Sequence, residues 1–252
     1  MRGVSLISVT PVKCFALSHP DSIELTEGGV LEDRRFLLVD GEGKRLRSSL
    51  TSWPMVIRGE YDSAEERLWM RFPDGAEVEG SALGSGEPVD VDFHERIVSA
   101  RVVEGEWNER LSRLAGHPVR VMRPEEHRHV QNAPVTLISD GSLQRLSQEA
   151  GSTVDGRRFR MLLTLSGCGP HEEDEWEGRL LRIGDAVVRA GGPVDRCAMT
   201  NRDPDSGECD LDTLRLIKSY RGVSDRNTVD FGVYATIVDP GTVCVGDTVE
   251  AL

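Results

Sequence analysis

The chain has 252 residues, which is enough for one large β-rich domain or two small ones. Its net charge of −13 argues against broad nucleic-acid binding, because phosphate backbones bind to basic faces. The five cysteines are odd in number and include no CxxC pair, which argues against a disulfide framework and for a reducing compartment. No signal peptide is recognisable, and no apolar run approaches the roughly 20 residues of a spanning helix, so we expect a cytoplasmic protein without membrane contact.

Short strands and hairpins are predicted for the first third of the chain. The predicted strands are residues 4–9, 35–39, 55–61, 67–72 and 76–79. The last two of these flank Asp74-Gly75, and an aspartate-glycine pair between alternating runs is a strong hairpin signal. Residues 81–88 are rich in Gly and Ser and indicate the end of a subdomain.

Helices and further strands are predicted for the remainder. The predicted helices are residues 106–115, residues 141–150 after the capping pair Ser139-Asp140, and residues 212–220. The predicted strands are residues 119–122, 135–138 and 160–165, a hairpin over 180–190, and a closing hairpin of 233–238 with 242–245. Many short strands with few helices indicate a mostly β, α+β fold, a barrel-like sheet with helices packed on it.

Arg196-Cys197 is the most reactive-looking dipeptide of the chain. A thiol beside a guanidinium can be held as thiolate, which binds soft metals or attacks sulfur. The alternative is a small buried hydrophobe, which is what most lone cysteines are. Cys197 lies in a stretch rich in glycine and turn residues and is followed by polar Thr200 and Asn201. These features favour a functional loop.

A run of arginines at 157–160 stands out against the acidic background. If residues 160–165 form a strand, alternation places Arg158 and Arg160 on one face, and an inward-facing arginine pair requires an anion. The alternative is a solvated turn edge. Non-functional interpretations exist for Lys13 and Arg34 as well. Lys13 can be a solvent-exposed lysine at the end of a strand, and Arg34 can belong to an exposed ion pair that contributes little to stability.

Metal binding by histidine has little support in the sequence. His127 and His129 lie two residues apart, and Cys168 with His171 forms an i, i+3 pair. Neither pair is accompanied by a second pair at zinc-ligand spacing. Residues 203–208 superficially resemble a calcium-binding loop. They lack the acidic residue at the fifth loop position and the glycine at the sixth, so they are predicted to form a turn.

Taken in order, these segments resemble the MOSC family, the molybdenum cofactor sulfurase C-terminal domain, and in particular its two-part, amidoxime-reducing members. The matching segments are Pro11-Val12-Lys13-Cys14, Gly29 with Asp33-Arg34, residues 157–160, residues 173–176, Arg196-Cys197 with residues 203–207, residues 231–234 and residues 241–247. The resemblance covers nearly the whole chain. It implies an N-terminal β-barrel domain over residues 1–95 and a MOSC domain over residues 96–252.

The resemblance also implies a site for the molybdenum cofactor, a molybdopterin. Cys197 would be the catalytic residue and the thiolate ligand of the metal. The residues implied to hold the cofactor, chiefly its phosphate, are Lys13, Cys14, Arg34, Arg158, Arg160 and Arg196. Two positions depart from the family pattern: Leu162 where an asparagine is common, and Asp195 where a small polar residue is common. A carboxylate near a phosphate is unfavourable unless it is paired.

The function implied is reduction of a small N-hydroxylated substrate, with electrons from a separate donor protein, since the sequence carries no flavin, haem or iron–sulfur signature. Two alternatives remain open. In the first, Cys197 bears a persulfide and the protein carries or transfers sulfur without a metal. In the second, the arginines bind some other phosphorylated small molecule and Cys197 is only structural.

Overall fold

Strands dominate the regular structure of this chain. The computed structural model describes residues 1–46, 51–93, 96–126 and 132–252, and within these it contains sixteen strands and three α-helices. The strands are β1 (Gly3–Ile7), β2 (Ser22–Leu25), β3 (Leu37–Asp40), β4 (Arg58–Asp62), β5 (Arg67–Arg71), β6 (Glu77–Ser81), β7 (Gly84–Phe93), β8 (Arg96–Val103), β9 (Val119–Pro124), β10 (Val135–Ser139), β11 (Leu163–Ser166), β12 (Leu180–Ile183), β13 (Ala186–Asp195), β14 (Asp230–Asp239), β15 (Gly241–Cys244) and β16 (Val249–Ala251). The helices are α1 (Glu106–Ala115), α2 (Asp140–Ala150) and α3 (Thr213–Arg221), and short 3-10 turns cover Trp53–Val56, Gly156–Phe159, Glu172–Trp176 and Ala198–Asn201.

A seven-stranded sheet is nearly closed into a barrel. Its strand order is β1-β11-β10-β14-β13-β12-β16. The two ends of the sheet meet, because the Val4 N–H donates to the Asp247 carbonyl at 2.9 Å and the Gly246 N–H donates to the Val4 carbonyl at 2.8 Å. The Val249 N–H likewise donates to the Arg2 carbonyl at 3.1 Å. The expected fold class, mostly β with a barrel-like sheet and a few packed helices, is confirmed.

The barrel interior is one apolar cluster. It takes side chains from both ends of the chain, for example Val4, Leu165, Val188 and Val249, all almost inaccessible to solvent. Each such side chain contributes about 1.5–3 kcal/mol relative to leaving it exposed. A second cluster, with Trp107 at its centre, lies among the four-stranded sheet β3-β9-β8-β7, the three-stranded sheet β4-β5-β6 and helix α1.

Capping side chains start α2 and α3, and glycines follow the ends of all three helices. The Ser139 side chain accepts from the Ser142 N–H at the start of α2, and the Asp212 carboxylate accepts from the Arg215 N–H at the start of α3. Gly116 ends α1 with a φ of 73°. None of the helices in the described ranges is long and apolar enough to cross a membrane.

Three local predictions are wrong. The strand predicted for residues 55–61 begins only at Arg58, because Trp53–Val56 is a 3-10 turn. Residues 233–238 and 242–245 do not pair with each other: β14 is already bordered by β10 and β13, so β15 pairs with β2 instead. Residues 160–162 are not part of a strand either. The Asp155 carboxylate accepts from the Arg157 N–H and starts a 3-10 turn, and β11 begins only at Leu163.

The proposed boundary between residues 95 and 96 stays a prediction. Residues 94 and 95 lie outside the described residues, and β8 pairs with β7 across them while β9 pairs with β3. The histidine pair His127 and His129 also lies outside the described residues.

Candidate functional site

A pocket of about 220 Å³ brings together most of the residues singled out in the sequence. It is lined by Lys13, Cys14, Arg34, Asn132, Ala133, Thr136, Phe159, Arg160, Met161, Val194, Arg196, Cys197, Met199 and Tyr234. The lining therefore contains four cationic side chains and two thiols, contributed by segments nearly 200 residues apart in the sequence. We call it the cation pocket.

Unusual backbone conformations concentrate at this pocket. In the described part of the chain six residues other than glycine have positive φ, and three of them line the cation pocket: Cys14 at 83°, Arg34 at 50° and Arg160 at 52°. A residue held in a sparsely populated conformation costs of order 1–3 kcal/mol, and such residues cluster at functional sites. The clustering supports a functional role for the pocket.

Arg34 and Arg160 are linked through main-chain atoms. The Arg34 guanidinium is paired with Asp33 and donates to the Arg160 carbonyl at 2.7 Å. The Arg160 guanidinium donates to the Phe15 carbonyl at 2.6 Å. Burial, with a smaller contribution from the nearby charge of Arg34, lowers the pKa of Arg160 to about 10. The lowered pKa means that the charge of Arg160 is incompletely solvated.

The Arg196 guanidinium is fixed by main-chain and thioether acceptors. Its Nε donates to the Phe231 carbonyl at 2.7 Å, and its Nη1 donates to the Phe159 carbonyl at 3.0 Å. Its Nη2 lies 2.8 Å from the Met161 sulfur, and the guanidinium lies 5.3 Å from the centre of the Phe159 ring. Burial lowers the pKa of Arg196 to about 10 as well. Within the described ranges neither Arg160 nor Arg196 forms an ion pair with a carboxylate.

Close packing around Arg196 requires glycine at position 232. Gly232 has a φ of 76°, and a Cβ there would lie 2.7 Å from the Met161 methyl and 3.3 Å from an Arg196 nitrogen. The Cβ would also lie 2.8 Å from the Leu137 carbonyl oxygen, so both the conformation and the close approach of the backbone disfavour a larger residue.

Cys197 presents an exposed thiol at the start of the 3-10 turn Ala198–Asn201. Its carbonyl accepts from the Thr200 N–H at 3.2 Å and from the Thr200 hydroxyl at 3.1 Å. The Thr200 hydroxyl in turn accepts from the Thr213 hydroxyl at 2.6 Å, at the start of α3. Cys14, in contrast, is buried. The only exposed thiol in the pocket lining is therefore that of Cys197.

The two departures from the family pattern lie off the pocket. Leu162 is 2% exposed and belongs to the barrel core, where its N–H donates to the Thr136 hydroxyl at 2.8 Å. Asp195 is exposed and is not among the lining residues; its carboxylate accepts from the Tyr234 hydroxyl at 3.4 Å. The carboxylate of Asp195 is thus directed to a neutral donor.

For Arg158 the structure corrects the expectation. Arg158 does not line the cation pocket, because residues 156–159 form a 3-10 turn and do not alternate as in a strand. Its guanidinium is bound by both oxygens of Asp210 at 2.7 and 2.6 Å. Residues 203–207 form the predicted turn, in which the Asp203 carboxylate accepts from the main-chain N–H groups of Asp205 and Ser206.

Sequence reasoning missed three polar lining residues, Asn132, Thr136 and Tyr234. Asn132 donates to the Tyr234 hydroxyl at 3.2 Å. Burial is the main cause that raises the pKa of Tyr234, so its hydroxyl stays protonated at neutral pH. Tyr234 belongs to the quoted segment 231–234, and alternation along β14 was the available signal that it faces the opposite side from Val233.

A larger cavity of about 500 Å³ is lined by residues 16–19, by parts of β4 and by Arg157 with Asp205. It contains no cysteine, and Arg157 is already bound by Asp155 and Asp205. In the described ranges no group of three or more His, Cys, Asp or Glu side chains is arranged to hold a metal ion. The cation pocket therefore remains the candidate site.

The barrel-like sheet thus carries an exposed thiol in a pocket that is also lined by arginines. The family model of the MOSC domain matches residues 124–250, half of the chain. This protein belongs to the MOSC family.

Relatives with assigned names are moderately similar. The mitochondrial amidoxime-reducing component 1 of Mus musculus is 31% identical over 186 residues, which cover 71% of this chain and 54% of the mouse protein. The molybdenum cofactor sulfurase of Oryza sativa is 27% identical over 271 residues, covering 92% of this chain and 32% of the rice protein. The chain thus spans about half the length of the mouse relative and a third of the rice relative. Among solved structures, the YUAD protein from Bacillus subtilis aligns over 100% of this chain and 96% of its own with 11% identity and a TM-score of 0.44, which carries no argument about function.

Proposed function

We propose that this protein holds the molybdenum cofactor in the cation pocket, with Cys197 as the thiolate ligand of the metal, and that it reduces small N-hydroxylated compounds. One observation carries the proposal: the exposed thiol and two guanidiniums without a carboxylate partner line the same pocket. Membership of the MOSC family and similarity to proteins named for amidoxime reduction and for molybdenum cofactor sulfuration support it.

The donor set of the pocket fits such a group. A thiolate is a suitable ligand for a soft metal, and arginines are suited to a phosphate because they present several N–H donors in a planar fork. Burial lowers the pKa of Arg160 and of Arg196, and a phosphate would compensate the charge that burial disfavours. Lys13 and Arg34 complete the cationic lining, and Cys14 contributes its main-chain N–H in this proposal.

When bound, the cofactor supplies a metal centre that exchanges two electrons with a substrate that gives up oxygen. The chain's own residues hold and orient it. Arg196 is held by the carbonyls of Phe159 and Phe231, and Arg160 by that of Phe15, so the two guanidiniums are fixed in position before a ligand arrives. Such preorganisation lowers the cost of binding. The Tyr234 hydroxyl also lines the pocket, and its proton is donated to the Asp195 carboxylate.

In this proposal the electrons come from a separate donor protein. The sequence has no cysteine spacing typical of an iron–sulfur cluster and no CxxCH haem motif. The substrate is a small molecule, and no nucleic acid or membrane takes part.

Metal analysis of purified protein tests the cofactor. The protein is expressed in a host that makes the molybdenum cofactor, and molybdenum is measured per chain in wild type, Cys197→Ala and Cys209→Ala. Cys209 is the matched control because it is the other exposed cysteine in the described residues and does not line the pocket. We expect molybdenum in wild type and Cys209→Ala and a large loss in Cys197→Ala. Wild type without molybdenum, or Cys197→Ala with full occupancy, would refute the assignment.

A second function, sulfur transfer through a Cys197 persulfide without a metal, is favoured by the exposure of that thiol beside Arg196. Incubation with a cysteine desulfurase and cysteine, followed by mass spectrometry, separates the two. A gain of one sulfur on Cys197 in a protein free of molybdenum supports transfer. An unmodified thiol rejects it.

A further inference from the structure

Two arginines of the 3-10 turn Gly156–Phe159 are bound by aspartates of the loop that follows Cys197. Arg158 binds both oxygens of Asp210 at 2.7 and 2.6 Å, and its side chain is only 7% exposed. Arg157 binds both oxygens of Asp205 at 2.9 and 2.7 Å. Bidentate pairs of this kind fix geometry as well as charge.

Cys197 lies between two attachments to this same turn. Before it, the Arg196 Nη1 donates to the Phe159 carbonyl at 3.0 Å. After it, Asp210 binds Arg158. The turn also ends in Arg160, the residue with a φ of 52° whose guanidinium lines the cation pocket. The two attachments therefore relate the position of the thiol to the position of Arg160.

The path from Asp210 back to Cys197 is short and hydrogen-bonded. The Asp210 N–H donates to the Asn201 carbonyl at 3.2 Å, at the end of the 3-10 turn Ala198–Asn201. That turn begins at Cys197, whose carbonyl accepts from Thr200. A displacement of Asp210 would consequently be transmitted to the thiol.

We propose that Arg158 and Asp210 form a clamp that holds the Cys197 thiol within the field of the cation pocket. Both are positioning residues, because they act through Cys197 and do not line the pocket. The inference rests on the proposed function, since it takes Cys197 and the pocket cations as the site. It differs from a simple stabilising ion pair by predicting that a weakened clamp changes the electrostatic surroundings of one thiol in a protein that stays folded.

Two alkylating reagents measure those surroundings. Iodoacetate is an anion and iodoacetamide is neutral, and both react with the same thiol. The rate with iodoacetate divided by the rate with iodoacetamide therefore reports the electrostatic potential at that thiol. Trypsin cleaves after Arg196 and Arg202 and isolates Cys197 in its own peptide, whose modification is followed by mass spectrometry. In wild type we expect the ratio for Cys197 to fall on the order of tenfold between low and high salt, because electrostatic attraction of a charged ligand is screened by ions.

Three variants test the clamp. Arg158→Lys keeps the charge but loses the fork, Asp210→Asn keeps the shape but loses the charge, and the exchanged pair Arg158→Asp with Asp210→Arg restores a pair in reverse order. Arg123→Lys is the matched control, because Arg123 makes a comparable bidentate pair with Glu66 away from the pocket.

The clamp predicts that Arg158→Lys and Asp210→Asn lose most of the salt-dependent ratio, that the exchanged pair regains part of it, and that Arg123→Lys keeps it. Near-ultraviolet circular dichroism confirms that each variant is folded. If the exchanged pair does not fold, the two single variants decide. A wild-type ratio in both, or an equal loss in Arg123→Lys, overturns the proposal. The assay uses protein expressed in a host that lacks the molybdenum cofactor, where the Cys197 thiol is free to react, so its outcome does not depend on the result of the metal analysis.

Discussion

Replacing Arg160 by methionine separates ligand binding from stability. A pKa lowered by burial to about 10 corresponds to about 3 kcal/mol against the charged form of Arg160 in the folded protein. Arg160 keeps some access to solvent at the pocket, so we reduce this to about 1–2 kcal/mol. Because the pKa is lower in the folded than in the unfolded state, the penalty is complete at neutral pH and fades only above pH 10.

Arg160→Met removes that penalty and also removes the bond to the Phe15 carbonyl, which is worth about 1 kcal/mol. We therefore expect a free energy of unfolding equal to that of wild type or about 1 kcal/mol higher, measured by urea denaturation at pH 7. Arg123→Met is the contrast. The pKa of Arg123 is raised, chiefly by its hydrogen bonds to Glu66, so its removal should destabilise the protein by about 1–2 kcal/mol.

Inorganic phosphate probes the ligand side of the same prediction. A ligand that binds only the folded state stabilises it by about 1.4 kcal/mol at ten times its Kd. Phosphate at an ionic strength matched with sodium chloride should raise the Tm of wild type and of Arg123→Met, and should leave that of Arg160→Met unchanged. Two results would refute the hypothesis that Arg160 binds an anionic ligand. One is a rise in the Tm of Arg160→Met with phosphate as large as that of wild type, and the other is a free energy of unfolding more than 2 kcal/mol below that of wild type.

Three further outcomes are expected. Gly232→Ala should lower the free energy of unfolding by about 2–4 kcal/mol, because φ is 76° and a carbonyl oxygen would lie 2.8 Å from the new Cβ. The control Gly151→Ala has a similar φ of 68° but no atom close to the new Cβ, so it should lower the free energy of unfolding by only about 1 kcal/mol. The pKa of His171 is lowered to about 4, chiefly by burial, so its contribution is complete above pH 6.5 and is lost as pH falls toward 4. Between pH 7 and pH 5 the free energy of unfolding, measured by urea denaturation, should fall by about 1 kcal/mol less in His171→Asn than in wild type. An equal fall in both proteins would contradict this. Burial is the main cause that raises the pKa of Cys168 to about 12, so peptide mapping after iodoacetamide at pH 8 should find Cys197 modified well before Cys168; the reverse order would contradict the burial.

Patterns local in sequence predicted local structure well. Helix α1 was predicted from Trp107 and Leu111 at helical spacing with Gly116 after them, and those bounds are found. The closing hairpin failed because strand pairing depends on which edges of the sheet are free, and β14 has none left. That information is not local: the neighbours of β14 come from residues 135–139 and 186–195.

The sequence predicted several residues that line the candidate site, but not the geometry of that site. Lys13, Arg34, Arg160 and Cys197 were selected by order of motifs, and all four line one pocket. Only the structure shows the backbone conformation at these positions, where Arg34 and Arg160 both have positive φ. Positive φ is rare for arginine, so propensity could not have predicted it.

Arg158 and Arg160 are two residues apart in the sequence but have different partners, and their pKa values are shifted in opposite directions. Asp155 starts a 3-10 turn that directs Arg158 to Asp210. Arg160, the residue after the turn, lies in the left-handed region, and its side chain lines the pocket. Arg158 meets a carboxylate, which raises its pKa; Arg160 meets a carbonyl, and burial lowers its pKa. In the described residues Arg160 thus keeps its charge without the carboxylate partner that Arg158 has. An anionic ligand would compensate the charge that burial disfavours, and this is why we propose that Arg160 and Arg196 form the site together with Cys197.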